Sequence, residues 1–258
     1  TLSLHDALPI LRVINSAREL AKRRKEKLII LWYLNPELNC TFEDLFRPLH
    51  EPDITLINIR SLKDPRKLYY QLSAAQRFGN EDILNNKTDG TLNDAFYQTL
   101  KKRVYIFTWE HFYPSKDYSL YAPTAALRER IDAFTKDFAP RCVGVHIRRT
   151  DNAVSMGKST TDQFIALMEQ ELLTHPETRF FLATDDQSEE DLLRSRFPGK
   201  IISNQSRTID RNSVAGMHDA LLDLYCLAAS DKIIGSYWSS FTDTAADMRG
   251  IEKVIAGE

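Results

Sequence analysis

Cys142-Val-Gly-Val-His-Ile-Arg-Arg-Thr-Asp151 is the stretch on which the fold turns, a short apolar run that breaks into two arginines and an aspartate. Lacking a polar face, the run 142–147 is predicted to be a strand covered on both sides, as the strands of parallel sheets are. Such sheets bind ligands beyond the carboxyl ends of their strands, where Arg148 and Arg149 stand. Successive side chains of an extended chain point to opposite faces, so one arginine is expected to face a ligand and the other to brace the loop. A guanidinium presents a planar fork that matches phosphate oxygens, which makes a diphosphate the first ligand to consider. The ordinary alternative is a structural ion-pair cluster of Arg148, Arg149 and Asp151.

Beyond Pro123 the pattern is regular. Helices are predicted over 124–138, 161–173, 188–196, 216–229 and 239–248, alternating with strands over 142–147, 179–183, 200–203 and 232–235. That alternation implies βαβ units and a right-handed, doubly wound parallel sheet. Upstream, a helix is predicted over 11–27 and strands over 27–33, 53–59 and 104–109, while the polar stretch 79–92 reads as loop. The expected organisation is α/β with two Rossmann-like domains, an amino-terminal one over 1–120 and a nucleotide-binding one over 121–258.

A chain of 258 residues, 43% hydrophobic, can bury a large core, and a net charge of −2 offers no basic surplus for nucleic acid. Its one basic block, Lys22-Arg-Arg-Lys25, closes a helical pattern and reads as a solvated helix end. Cys40, Cys142 and Cys226 are too scattered for a zinc site, and the histidines form no HxxxH pattern, so no metal is expected. With no long apolar run and no charge-then-apolar start, the expectation is a cytoplasmic protein without a transmembrane segment, peripheral attachment to the inner membrane being the alternative.

Three more polar clusters end strands or line a helix. Thr184-Asp-Asp186 follows a strand, and a helix cap is the simpler reading for either aspartate. Asp219 and Asp223 share a helix face. One of these carboxylates could accept from the N1 and N2 donors of a guanine; the alternative is a solvated acidic face. In Gly235-Ser-Tyr-Trp-Ser-Ser-Phe-Thr242, Ser239 and Ser240 lie at a helix start, where backbone N–H groups and the helix dipole favour phosphate; a serine cap explains one of the two.

Taken in series, His146-Ile-Arg-Arg-Thr-Asp151, Phe181-Leu-Ala-Thr-Asp-Asp186, Leu222-Asp-Leu-Tyr-Cys-Leu-Ala-Ala-Ser-Asp231 and Ser236-Tyr-Trp-Ser-Ser240 resemble the α1,2-, α1,6- and protein O-fucosyltransferase superfamily. The resemblance covers roughly residues 124–250. It implies a GT-B fold with an acceptor domain followed by a domain that binds GDP-fucose, and an inverting transfer of fucose to a glycan hydroxyl without a metal cofactor. It further implies that Arg148 grips the donor diphosphate, that Arg149 organises the site and that His146 lines the donor pocket. Asp223 falls on the guanine-binding acid, and Ser240 on the phosphate-contacting serine with Ser239 beside it.

Two departures stand out. The α1,6 branch carries its base as a glutamate a few residues past the RRTD motif, but the place here is near Met156, which leaves Asp151 as the catalytic candidate. The family's glycine-rich opening loop is replaced by Thr1-Leu-Ser-Leu-His-Asp-Ala-Leu-Pro-Ile10, which looks like translated adapter sequence, so the first domain is expected to be truncated at its start. The expected acceptor is a glycan, as in assembly of a bacterial surface or secreted polysaccharide. The competing readings are a non-catalytic nucleotide-binding or interaction domain and a GT-B transferase using another nucleotide sugar.

Overall fold

The computed structural model of the chain describes residues 9–35, 38–149, 153–208 and 213–258. These fall into two compact units, one ending at Ala122 and the other spanning Pro123–Glu258.

In the first unit, α1 (Pro9–Arg24) leads to β1 (Leu28–Tyr33), the single turn α2 (Phe42–Leu45) and β2 (Ile54–Ile59), which pairs in parallel with β1. Then α3 (Pro65–Ser73), β3 (Gln76–Phe78), α4 (Asn80–Asn85), the hairpin β4 (Lys87–Thr88) and β5 (Thr91–Leu92), and α5 (Asp94–Thr99) precede β6 (Val104–Ile106), the parallel partner of β3. The sequence expectation of a loop over 79–92 is overturned. Asp82 caps α4 by accepting from the Gly79 N–H at 2.7 Å, Ile83 is fully buried, and Asp89 and Gly90 turn the hairpin with φ of 49° and 74°. Positive φ at both central residues is the mark of a tight two-residue hairpin turn, for which Asp-Gly is a favoured pair. The strand expected over 104–109 is shorter, since Thr108 turns the chain by accepting from the Glu110 N–H at 2.9 Å.

Nor is the basic block simply solvated. Arg24 donates to Glu26 and to the carbonyls of Leu100 and Lys101, and Arg23 lies over the Tyr113 ring.

The second unit holds α6 (Ala125–Thr135), β7 (Cys142–Ile147), α7 (Ala153–Lys158), α8 (Thr161–Thr174), β8 (Arg179–Thr184), α9 (Gln187–Arg196), β9 (Ile201–Ile202), α10 (Val214–Ala228), β10 (Lys232–Gly235), α11 (Ser240–Arg249) and β11 (Glu252–Ile255). Its five strands form one parallel sheet in the order β11-β10-β7-β8-β9. From β7 the chain winds outward through β8 and β9, then returns to place β10 on the other side of β7. The reversal between β7 and β10 is a topological switch point, and the loops leaving those two strands open a crevice at the carboxyl edge.

Every residue of β7 is buried. Val143, Val145 and Ile147 pack with Phe164 and Met168 of α8 and with Leu193 and Phe197 of the α9 region. Burying each such side chain contributes about 1.5–3 kcal/mol, so this cluster anchors the sheet. Alternation turns Gly144 and His146 the other way, and a Cβ on Gly144 would meet Leu227 of α10. At Gly235 an added Cβ would overlap Thr242 of α11, so only glycine lets that helix start approach the sheet. Gly235→Ala is therefore expected to cost about 1–3 kcal/mol and to shift the α11 terminus. A melting curve with nucleotide titration checks it, and an unchanged melting point would show that the approach is not tight.

Candidate functional site

Hydrogen bonds tie the end of β7 to the start of α11. The fully buried His146 ring has Nδ1 at 2.9 Å from Thr242 Oγ1 and 3.3 Å from Ser239 Oγ, and it stacks on Phe241 with centroids 4.7 Å apart. Ser236 accepts from the Arg148 N–H at 3.1 Å and donates to the His146 carbonyl at 3.2 Å. Ser239 is the N-cap of α11, buried, and accepts from the Thr242 N–H. The serine-cap reading thus holds for Ser239, while Ser240 is the first helical residue and half-buried. The end of β7, with the Arg148 backbone, and the start of α11 therefore stand at one switch point.

The two arginines separate as strand alternation predicts. Arg149 continues the Val145 and Ile147 face, where its guanidinium donates to Glu189 Oε1 at 2.6 Å, to the Ser159 carbonyl at 2.8 Å and to Thr161 Oγ1 at 3.1 Å. Its N–H donates to Asp185 Oδ1 at 2.8 Å. Arg149 thereby laces the β7 loop to α8 and α9. Arg148 belongs to the His146 face and is buried. Asp151 lies outside the described residues.

Asp186 is a helix cap, accepting from the N–H groups of Ser188 and Glu189 at the start of α9. The Ser188 hydroxyl, followed by those N–H groups, holds its carboxyl below the usual carboxylate range.

The acids of α10 do not form a solvated face, so that alternative fails. Asp219 is buried, accepting from Arg130 at 2.5 Å, from Asn204 Nδ2 at 3.2 Å and from the Thr208 N–H at 2.7 Å. Segment 204–208 is thus laid along the helix face that also carries Asp223. Asp223 Oδ1 is shut off from solvent and has no hydrogen-bond partner among the described residues. Burial pushes this carboxyl up to about 7; Asp219 and Glu190 reinforce the shift, and Arg207 and Arg130 oppose it.

Sequence reasoning passed over Arg207, Glu190 and Ser236 as site-builders. Glu190 is 1% exposed and accepts from Arg194, Arg207 and Ser203. A buried glutamate in a polar helix carries no periodic signal, because burial there is decided by which cations fold back on it. The free thiols of Cys40, Cys142 and Cys226 are buried, and burial pushes Cys40 and Cys142 up to about 12. Among the described residues no group of three His, Cys, Asp or Glu could hold a metal, and no helix is long and apolar enough to cross a membrane.

The architecture, a parallel sheet with a switch point beside a helix start, has close counterparts. The structure of NodZ α-1,6-fucosyltransferase soaked with GDP-fucose superposes with a TM-score of 0.64 at 19% identity, covering 95% of this chain and 89% of that one. This chain has the fold of the fucosyltransferases. NodZ from Bradyrhizobium matches at a TM-score of 0.63 with 20% identity, over 94% of this chain and 88% of the other. For the POFUT1 apo-form the TM-score is 0.57 at 12% identity, over 97% and 93% of the two chains. No protein-family model and no curated protein matches the sequence. The GT-B expectation and the mixed α/β fold class are met by this fucosyltransferase fold.

Proposed function

We propose that the chain is an inverting, metal-independent glycosyltransferase that moves fucose from GDP-fucose to a glycan hydroxyl. The observation that carries this reading is the bond from the Arg148 backbone to Ser236 in the loop that leads into α11, at the switch point of a parallel sheet. A cationic fork beside a helix start suits a diphosphate, and it supplies positive potential where charge grows on a departing GDP. NodZ has been crystallised with GDP and soaked with GDP-fucose, and POFUT1 is seen in complex with GDP-fucose, which supports the same donor here.

In this reading the acceptor oxygen attacks the anomeric carbon from the side opposite the diphosphate. The bond from that carbon to the phosphate oxygen breaks, GDP leaves with the electron pair, and the acceptor proton passes to a base. Arg148 contacts the diphosphate, with Ser240 and the helix start beside it. Arg149 holds the loop, Asp223 receives the guanine, His146 and Ser239 shape the pocket floor, and Asp151 is the candidate base. The unit ending at Ala122 takes the acceptor side, and Pro123–Glu258 takes the donor. A cytoplasmic location fits three buried unpaired thiols.

Calorimetry should show GDP binding more tightly than ADP and undiminished by EDTA, and GDP-fucose should be hydrolysed slowly without acceptor. Equal affinity for GDP and ADP would remove the guanine assignment. Binding without any donor turnover, in water or with glycan acceptors, would reduce the chain to a nucleotide-binding domain.

A further inference from the structure

Two polar atoms of opposite character are left unsatisfied in one buried neighbourhood of the second unit: the acceptor Asp223 Oδ1 and the donor Arg207 Nη1. Leaving either atom unpaired is costly, which marks the place as built for something that supplies both partners. Arg207 is fixed there. Its Nη2 donates to Glu190 Oε2 at 2.5 Å, its side chain is 11% exposed, and Glu190 is itself held by Arg194 and Ser203. The next residue, Thr208, donates its N–H to Asp219 at 2.7 Å, one helical turn from Asp223 on the same face of α10. Arg207 is also the leading positive influence on the Asp223 carboxyl.

We propose that Arg207 is a specificity residue that reads the guanine O6, forming with Asp223 a two-point clamp on the edge of the base. The inference rests on the guanine reading of Asp223 given above. A guanine edge presents the complementary set: O6 accepts from a guanidinium N–H, while N1–H and the N2 amino group donate to a carboxylate. Adenine inverts that set, placing an amino donor against Arg207 and an unprotonated ring nitrogen against Asp223. Opposed donors and acceptors in a buried site discriminate far more strongly than a missing contact does. Glu190 acts as the positioning residue that holds Arg207 in place.

The test compares GDP with two analogues by calorimetry. 6-Thio-GDP keeps N1–H and the N2 amino group but replaces O6 with a weak acceptor; inosine diphosphate keeps O6 and N1–H but lacks the amino group. The native chain should prefer GDP over each by about tenfold, the worth of one good hydrogen bond. Arg207→Met should erase the preference over 6-thio-GDP and retain that over inosine diphosphate, and Asp223→Asn should do the reverse. Should Arg207→Met fold poorly, the double variant Arg207→Met with Glu190→Gln leaves no unmatched buried charge on that pair and should give the same ratios. An unchanged preference for GDP over 6-thio-GDP in the Arg207 variants, with Asp223→Asn behaving as expected, overturns this proposal alone. A preference over inosine diphosphate that survives Asp223→Asn overturns the guanine reading and this proposal with it.

Discussion

Replacing Arg148 by lysine is expected to lower fucose transfer about 10²–10³-fold, a far larger effect than on the melting point. Lysine keeps the charge but loses the planar fork that can hold two phosphate oxygens at once, and a point charge on a flexible stem is not preorganised for a leaving group. The neighbouring substitution should behave oppositely. Arg149 bonds to Glu189, the Ser159 carbonyl and Thr161, and one ammonium cannot reproduce that three-way geometry. Arg149→Lys should therefore cost about 1–3 kcal/mol of stability, a fall in melting point of roughly 2–8 °C, with a smaller effect on turnover. Single-turnover transfer and a melting curve on each variant decide the matter. Normal transfer by Arg148→Lys, with transfer abolished at an unchanged melting point in Arg149→Lys, would exchange the two roles.

Asp223→Asn is expected to stabilise the protein above neutral pH while weakening its preference for guanine. The folded carboxyl keeps its proton to about pH 7, whereas the unfolded chain gives it up near pH 4. This group therefore favours folding at low pH, and the advantage is lost as pH rises between those values, by on the order of 4 kcal/mol in all. Asparagine does not ionise, so the variant should melt above the native protein at pH 8, with the gap closing towards pH 5. Nucleotide binding has the opposite slope, because only the carboxylate accepts from N1–H and N2–H together. The affinity ratio of GDP to ADP, in which the shared diphosphate titration cancels, should rise about tenfold from pH 6 to pH 8 and then level. The groups facing Asp223 are Arg207, Asp219, Glu190 and Arg130. A ratio independent of pH, or a variant no more stable at pH 8, would mean that Asp223 is ionised throughout.

A trade of stability for recognition is the physical sense of such a residue. A carboxyl with one oxygen shut off from solvent and unpaired lowers stability, and a ligand that satisfies that oxygen gains the full value of the contact.

What the sequence determined by itself was the second unit. The run 142–147 has no polar face, so it could only be a strand covered on both sides, and the strand is Cys142–Ile147. The alternation that follows set the helices and strands to within a few residues, except for the short helix Ala153–Lys158, which was not expected, and for β11, where Glu252 and Lys253 sit on an exposed edge and weaken the apolar signal. The separation of Arg148 from Arg149 was also legible, because strand periodicity is a local property of the backbone. Tertiary structure decided the rest. Whether an aspartate caps a helix, as Asp186 does, or keeps one oxygen shut off and unpaired, as Asp223 does, depends on what folds over it from elsewhere in the chain. The switch point likewise comes from strand order, and no stretch of sequence encodes that β10 returns to the side of β7 away from β8. Glu190 and Arg207 are 17 positions apart and meet only after the segment following β9 folds back over α9 and α10, a long-range packing event that no local pattern announces.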